Sequence, residues 1–329
     1  MSGIILGTEK KIVFLNVHNP TPVAQATVNV IGVFSVKKAI QEQKINKISD
    51  VIGVTSEDEI YKILQALFNA GAQEVLVYGK EVESSQYKEM FDEVKNDWFG
   101  TVTDCTDLDE IAKISKEVGS REKMLFAQVV KSEEIMNVES KVKAIGESTT
   151  ALFFSKNDET LAGAVAGYAI SKFPGSTLIA NKLINGSIDS GMQGAEQAML
   201  DRLNSNYNAP MKGQLGLANG VTITGDSIDY KHCEKALKFR LEEDITLFLK
   251  SKPKPNFEDL DPLKAVILLR TGQFERMGAL AEGKTTVSFP EIAEIPKNDI
   301  LKGKLTGVKI TCYYLYGIKE IGIDLYFEV

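Results

Sequence analysis

The sequence predicts an α/β fold in which a mixed sheet carries helices on its faces. Segments rich in β-branched and aromatic residues alternate with helical segments between residues 74 and 172, and such alternation is typical of a mostly parallel sheet. The composition agrees, because 43% of the 329 residues are hydrophobic and 25% are charged. A chain of this length and composition forms one large or two ordinary domains.

The first helix of this pattern has a clear beginning and end. Ser56-Glu-Asp-Glu59 has the spacing of a capping box, and Gly71 follows the last apolar position. The predicted strands of this half are 26–35, 74–78, 99–103, 123–130 and 149–155, and the predicted helices are 57–70, 86–95, 107–117, 133–145 and 158–172.

The pattern changes after Pro174. The glycines at 213, 216 and 220 predict a loop, and Lys-Pro-Lys-Pro at 252–255 ends the longest predicted helix. The other elements predicted here are helices at 186–204, 229–250 and 263–277 and strands at 221–224, 285–289, 308–316 and 321–329.

Both ends of the chain have β-strand character. A strand at 11–15 precedes Pro20 and Pro22, which end any helix or central strand. Strands like these are exposed, adhesive edges in a monomer, so they either pair within the chain or exchange between subunits. The predicted division is an N-terminal β arm at 1–20, an α/β domain at 21–175, a C-terminal domain at 176–305 and a C-terminal β arm at 306–329.

Charge and hydropathy argue against two classes of function. The net charge is −7, and no stripe of Lys and Arg offers the phosphate-neutralising surface that nucleic-acid binding needs. No run approaches the roughly 20 apolar residues that span a bilayer, and the first residues do not resemble a signal peptide. We therefore expect no nucleic-acid partner, no membrane insertion and synthesis in a cytoplasm.

Residues that carry chemistry are sparse. Cys105, Cys233 and Cys312 are odd in number and far apart, so we expect buried thiols and no disulfide framework. The two histidines, His18 and His232, have no neighbours at metal-ligand spacing. The sequence therefore predicts no catalytic residues, no cofactor and no metal, and the chain is not expected to be an enzyme.

One motif points the other way. Residues 278–285 match GxxxxGK[ST], the formula of a phosphate-binding loop. That chemistry needs a helix immediately after the loop, whereas Thr286-Val-Ser-Phe-Pro290 is β-prone and ends in proline. We therefore do not expect nucleotide binding here.

Five blocks occur in a fixed order along the chain. They are 19–34 (NPTPVAQATVNVIGVF), 56–78, 160–168 (TLAGAVAGY), 220–230 (GVTITGDSIDY) and 295–310 (IPKNDILKGKLTGVKI). In this order they resemble the contractile tail sheath family of phages and phage-tail-like particles. Ala70 stands where many sheaths have glycine, and the chain is shorter than large phage sheaths, so outer domains are expected to be missing.

The resemblance implies a structural subunit that polymerises around an inner tail tube and contracts to drive it through a target envelope. Its partners would be further copies in a helical homopolymer of stacked hexameric rings, the tube protein, and baseplate and tail terminator proteins. Assembly would occur in a host bacterial cytoplasm, before incorporation into a virion or phage-tail-like particle.

The resemblance also implies two sets of site residues. The C-terminal domain would face the tube, through Lys297, Asp299, Lys302 and Lys304. Terminal β arms would exchange between subunits, through Ile12, Val13, Phe14, Leu15, Ile310, Tyr314, Ile323, Leu325 and Phe327.

Two other interpretations remain open. The chain would fit another tail component, such as a tube or baseplate protein, although tube proteins are usually smaller and mostly β. It would also fit a cytoplasmic α/β enzyme with a substrate site at the carboxyl ends of the parallel strands.

Overall fold

The computed structural model describes residues 28–83, 86–129, 138–251, 256–257 and 260–319. These residues form two compact units. The larger unit contains residues 28–235 and 315–319, and the smaller unit is Ala236–Tyr314. The domain boundaries predicted from the sequence at residues 20, 175 and 305 stay predictions.

A six-stranded mixed sheet is the centre of the larger unit. Its strands are β1 (Ile31–Ser35), β2 (Ile40–Ile45), β3 (Val75–Gly79), β4 (Gly100–Thr103), β5 (Met124–Val129) and β6 (Thr150–Phe154). Their order is β2-β3-β1-β4-β5-β6, and all pairs are parallel except β2 with β3. The predicted mixed α/β sheet is therefore confirmed.

Helices cover both faces of this sheet. They are α1 (Glu59–Asn69), α2 (Tyr87–Asp92), α3 (Leu108–Ser120), α4 (Glu139–Ala144), α5 (Leu161–Ile170) and α6 (Gly194–Arg202). Ile31 and Val33 of β1 pack with α1 and α5, whereas Phe34 packs with α2 and α3 on the opposite face. Because both faces are covered, β1, β4, β5 and β6 are buried along their whole length.

Close packing of α5 on α1 explains the small residues of the 160–168 block. A Cβ at Gly167 would lie 2.3 Å from the carbonyl oxygen of Leu67, and a Cβ at Gly163 would lie 3.2 Å from the Ile63 side chain. The two glycines are one helical turn apart and form a smooth stripe. Alanine and glycine therefore allow the two helix backbones to approach closely.

The five strands and five helices predicted between residues 26 and 172 each have a counterpart among the described residues, with ends shifted by a few residues. The strand predicted at 11–15 and the first residues of the elements predicted at 26–35 and 133–145 lie outside the described residues. The sequence did not predict β2, whose residues IQEQKI lack the apolar alternation of a half-buried strand. This strand forms because its backbone extends the sheet beside β3 and its two ends, Ile40 and Ile45, are buried, while the four polar residues between them stay exposed or half-buried.

The loop predicted at residues 213–220 is wrong. A hairpin occupies this region, formed by β7 (Tyr207–Met211) and β8 (Gln214–Ala218), which pair antiparallel. Its turn is Lys212-Gly213, and both residues have positive φ, 51° and 87°. Such two-residue turns match the twist of paired strands, so the glycine marks a hairpin rather than an open loop. The strand predicted at 221–224 is reduced to one bridge, between Val221 and Ser227.

The smaller unit is built on two helices and a two-stranded sheet. Its elements are the later turns of α7 (Ile228–Ser251), then α8 (Asp261–Arg276), β9 (Thr286–Ser288), α9 (Lys297–Leu301) and β10 (Lys309–Thr311). Leu241, Leu263, Ile267 and Val287 form its buried core. Within the described residues, no helix is both long enough and apolar enough to cross a bilayer.

Candidate functional site

The β9–β10 sheet contains one residue predicted to take part in strand exchange. Ile310 pairs antiparallel with Val287 and packs against the smaller unit's core. A second predicted residue, Tyr314, forms an isolated bridge with Leu280, beside a hydrogen bond of 2.8 Å from the Ala281 amide to the Tyr313 carbonyl oxygen. Both residues thus have strand partners within their own chain, and their part in exchange stays a prediction.

Seven further residues predicted for exchange lie outside the described residues. They are Ile12, Val13, Phe14, Leu15, Ile323, Leu325 and Phe327.

The segment predicted to face an inner tube is a short surface helix. Pro296 precedes α9, and the buried side chain of Ile295 fixes its base in the smaller unit. Lys297, Lys302 and Lys304 are exposed, and Asp299 is half-buried. Among the described residues these three lysines form no ion pair, so their charges face solvent.

Leu301, at the end of α9, is 86% exposed. It lies beside Lys302 in the sequence, so α9 presents an apolar side chain next to positive charge. No sequence pattern distinguishes Leu301, because an isolated surface leucine is common in soluble proteins.

The loop at 278–285 is not arranged as a phosphate site. Strand β9 follows it instead of a helix, in agreement with the sequence prediction. The Thr285 hydroxyl donates to Glu275 Oε1 at 2.6 Å, and the Gly283 amide donates to Glu275 Oε2 at 3.1 Å. These bonds lower the pKa of Glu275 and keep it charged. A phosphate would therefore face a carboxylate, and the hydroxyl that would bind magnesium is already engaged.

A cleft lies where the enzyme interpretation would place its substrate. Because β1 pairs with β3 on one side and β4 on the other, the strand order reverses there. A cavity of about 220 Å³ opens at this edge between α1 and α5. Its lining includes Glu59, Lys62, Asp104, Gln128 and Thr160.

The buried polar groups of this cleft bond to the protein itself. Asp104 accepts hydrogen bonds from the Ser35 hydroxyl and, at 2.9 Å, from the Val36 amide. Burial raises the pKa of its carboxyl group. Gln128 Oε1 accepts from the Ala162 amide at 2.9 Å. The hydrogen bonds of Asp104 and Gln128 connect the strand ends to the neighbouring loop and to α5. The described part of the chain contains no cluster of three or more potential metal ligands.

His232 is a core residue, as the sequence analysis preferred. Its ring is buried, stacks on Phe99 with centroids 5.1 Å apart, and donates from Nε2 to the Val28 carbonyl oxygen at 2.9 Å. Burial lowers its pKa from 6.5 to about 4. The thiols of Cys105 and Cys233 are buried as expected, whereas Cys312 is only partly buried.

Residues 315–319 are a structural feature that the sequence did not predict. They belong to the larger unit, where Tyr316 stacks on Tyr230 and Lys319 bonds to two asparagines. No periodic pattern distinguishes this segment, because each contact joins it to residues far away in the sequence.

Similarity to known proteins is found in structure and not in sequence. No protein-family model and no curated protein matches the chain. The helical sheath of the anti-feeding prophage in its contracted state superposes with a TM-score of 0.68 at 12% identity, covering 96% of this chain and 99% of that one. The sheath complex of PVC, an extracellular contractile injection system, in its contracted state gives 0.66 at 15% identity, covering 98% of each chain. The chain therefore has the fold of contractile sheath subunits over nearly its whole length.

Proposed function

We propose that this chain is a structural subunit of a contractile tail sheath, which polymerises around an inner tube and shortens to drive the tube through a target envelope. The observation that supports this function best is the coverage of the structural similarity. Both sheath subunits are matched over 96% or more of either chain, so the similarity includes both compact units.

A helical sheath needs contacts between copies that do not close on themselves, and strand addition provides them through backbone hydrogen bonds. We propose that residues 12–15 and 323–327 are donated to neighbouring copies. The β9–β10 sheet suits an acceptor, since it has only two strands among the described residues. In this arrangement Ile310 and Tyr314 belong to the edge that receives a strand.

The edges of the six-stranded sheet are less suitable acceptors. At one edge, the Gln43 side chain of β2 bonds at 2.9 Å to both the amide and the carbonyl oxygen of Ile52. At the other edge, the Phe154 amide donates to the Asn206 carbonyl oxygen at 2.8 Å, and the Asn206 amide donates to Leu152 at 2.8 Å. The β6 edge thus already has a backbone partner within the chain, and at the β2 edge Ile52 bonds to a side chain of the strand.

We propose that α9 faces the inner tube. Lys297, Lys302 and Lys304 would pair with acidic side chains of the tube protein, and Asp299 would face the tube beside them. Exposed ion pairs are individually weak, so such contacts are released when the sheath rearranges. The proposed further partners are baseplate and tail terminator proteins at the ends of a homopolymer of stacked hexameric rings. We propose that assembly occurs in a bacterial cytoplasm.

In this proposal, contraction is driven by a difference in buried interface between two packings of the subunits. Nucleotide hydrolysis has no part in it. The bonding of Glu275 within the 278–285 loop supports this view, since it opposes phosphate binding there.

Electron microscopy of the purified chain at rising concentration, with mass from light scattering, tests the proposed function. We expect hollow helical tubes, whose symmetry is then measured directly. Closed rings would instead support a tube or baseplate component. A small monodisperse particle, both alone and with the tube protein of its own particle, would overturn the sheath function and favour the enzyme interpretation.

A further inference from the structure

After Tyr314 the chain returns to the larger unit and contacts it at nearly every residue from 316 to 319. The Tyr316 ring stacks on Tyr230, with centroids 5.8 Å apart and planes inclined by 29°. The next residue, Gly317, lies directly against Leu178, since a Cβ at position 317 would be 3.1 Å from the Leu178 Cβ. A side chain at position 317 would displace Leu178, so the glycine permits this close approach.

Lys319 holds the end of this segment through two hydrogen bonds. Its carbonyl oxygen accepts from Asn181 Nδ2 at 2.8 Å, and its Nζ donates to the Asn219 carbonyl oxygen at 3.1 Å. Both asparagines have left-handed backbone conformations, with φ of 63° and 69°. Asparagine tolerates this conformation better than most residues, which allows the two loops to present these groups.

The two asparagines that bond to Lys319 are themselves held by hydrogen bonds to neighbouring parts of the larger unit. The Asn181 amide donates to the Leu217 carbonyl oxygen of β8 at 2.8 Å, and the Leu217 amide donates back to Lys182 at 3.0 Å. The Asn219 side chain donates at 2.8 Å to both Asp201 of α6 and the Ser205 carbonyl oxygen. Residues 315–319 therefore contact the ordered body of the larger unit and not a free loop.

We propose that residues 315–319 are a fixed anchor that holds the base of the C-terminal segment on the larger unit of its own chain, so that any exchange between copies begins beyond Lys319. This inference rests on the proposed sheath function. It assigns exchange at this end to Ile323, Leu325 and Phe327 and keeps Ile310 and Tyr314 within their own subunit.

The anchor has two consequences for a sheath. Phe327, the last residue assigned to exchange, lies eight residues after Lys319, and eight residues span at most about 28 Å when fully extended. The acceptor on a neighbouring copy must therefore lie within that distance of the anchor. In addition, tension on the residues beyond Lys319 passes into the larger unit at 315–319 and does not pull on β9 and β10 of the smaller unit.

A disulfide between positions 178 and 317 tests this anchor directly. In a Cys312→Ser background, Leu178→Cys with Gly317→Cys places the two Cβ atoms within a few tenths of an ångström of disulfide distance. Each single-cysteine variant, treated with the same mild oxidant, is the matched control. The readouts are the crosslinked fraction of the monomer and the fraction of protein that forms tubes, with and without reductant.

We expect nearly complete crosslinking and, within about twofold, the same tube yield in the oxidised and reduced double variant. Poor crosslinking in the monomer would overturn the anchor, whether or not tubes form. Tubes that appear only after reduction would also overturn it, because the segment would then have to detach. Failure of the unmodified chain to polymerise even with its tube protein is a separate result that contradicts the sheath function, while the crosslinked fraction still tests the anchor.

Discussion

The rings of Tyr230 and Tyr316 stack on each other at the place where the chain leaves and re-enters the larger unit. Tyr230 lies in the first turn of α7, just before the chain continues into the smaller unit at Ala236. Tyr316 is the second residue after its return. Their centroids are 5.8 Å apart. The stacked pair thus joins the segment that leaves the larger unit to the segment that returns to it.

Tyr316→Ala should loosen this connection. Loss of an aromatic pair costs about 1 kcal/mol, so we expect tryptic cleavage after Lys319 to become about fivefold faster under native conditions. Time courses analysed by mass spectrometry measure the rate. Tyr316→Phe keeps the ring and is the control. Equal cleavage rates in the alanine and phenylalanine variants would contradict a role for the stacking contact.

His232 should make the fold sensitive to acid. Its pKa is about 4 in the folded chain and about 6.5 when unfolded, so between these values the unfolded chain binds the proton and the folded chain does not. Stability is therefore complete above about pH 6.5 and decreases as the pH falls to about 4, by roughly 3 kcal/mol at most.

Urea unfolding at several pH values measures this effect. The free energy of unfolding of the unmodified chain should approach that of His232→Gln as the pH is lowered from 7 to 4, because glutamine does not titrate. Parallel profiles for the unmodified chain and His232→Gln would show that folding does not lower the pKa of His232.

Gly167→Ala should separate α5 from α1. The added methyl group would lie 2.3 Å from the Leu67 carbonyl oxygen, and backbone shifts of this kind cost about 1–3 kcal/mol. Gly194→Ala is the matched control, since nothing lies within 4 Å of its added Cβ, and it should change stability by less than about 0.5 kcal/mol. Thermal unfolding compares the two, and equal stability would mean that the helices are farther apart than described.

The three lysines of the α9 segment should act in tube binding and not in folding. Lys297→Glu, Lys302→Glu and Lys304→Glu combined should leave the melting temperature within about 2 °C, because these side chains are exposed. Co-sedimentation with the tube protein should decrease at least tenfold. Lys284→Glu, an exposed lysine of the 278–285 loop, is the control, and an equal loss in that variant would indicate nonspecific attraction.

Deletion of residues 1–17 should abolish polymerisation and leave a folded, soluble body. The two core clusters of the larger unit contain residues from Val30 onward, which pack with one another. Light scattering and microscopy measure assembly, and circular dichroism checks the fold. Tubes of normal length from the shortened chain would refute donation of residues 12–15.

Patterns within short stretches of sequence were enough to predict most elements. A strand buried on both faces is apolar along its length, as in β6, and a helix such as α1 repeats its apolar positions with the helical period. The strand that contains Ile310 was also predicted in this way, whereas Lys297, Lys302 and Lys304 were chosen because of the resemblance to tail sheaths. The partners of these residues could not be predicted in the same way. A local pattern indicates whether a surface is buried or exposed, but it does not indicate which residues cover that surface.

The sequence by itself determined the α/β class, the alternation of the first half and the unsuitability of the 278–285 loop for phosphate. Only the tertiary structure decided that the polar strand β2 joins the sheet, that Lys212 and Gly213 turn a hairpin, and that residues 315–319 return to the larger unit. The physical reason is that these features depend on contacts between distant residues. A hydrogen bond such as that from Asn181 to Lys319 exists only after folding has brought the two loops together.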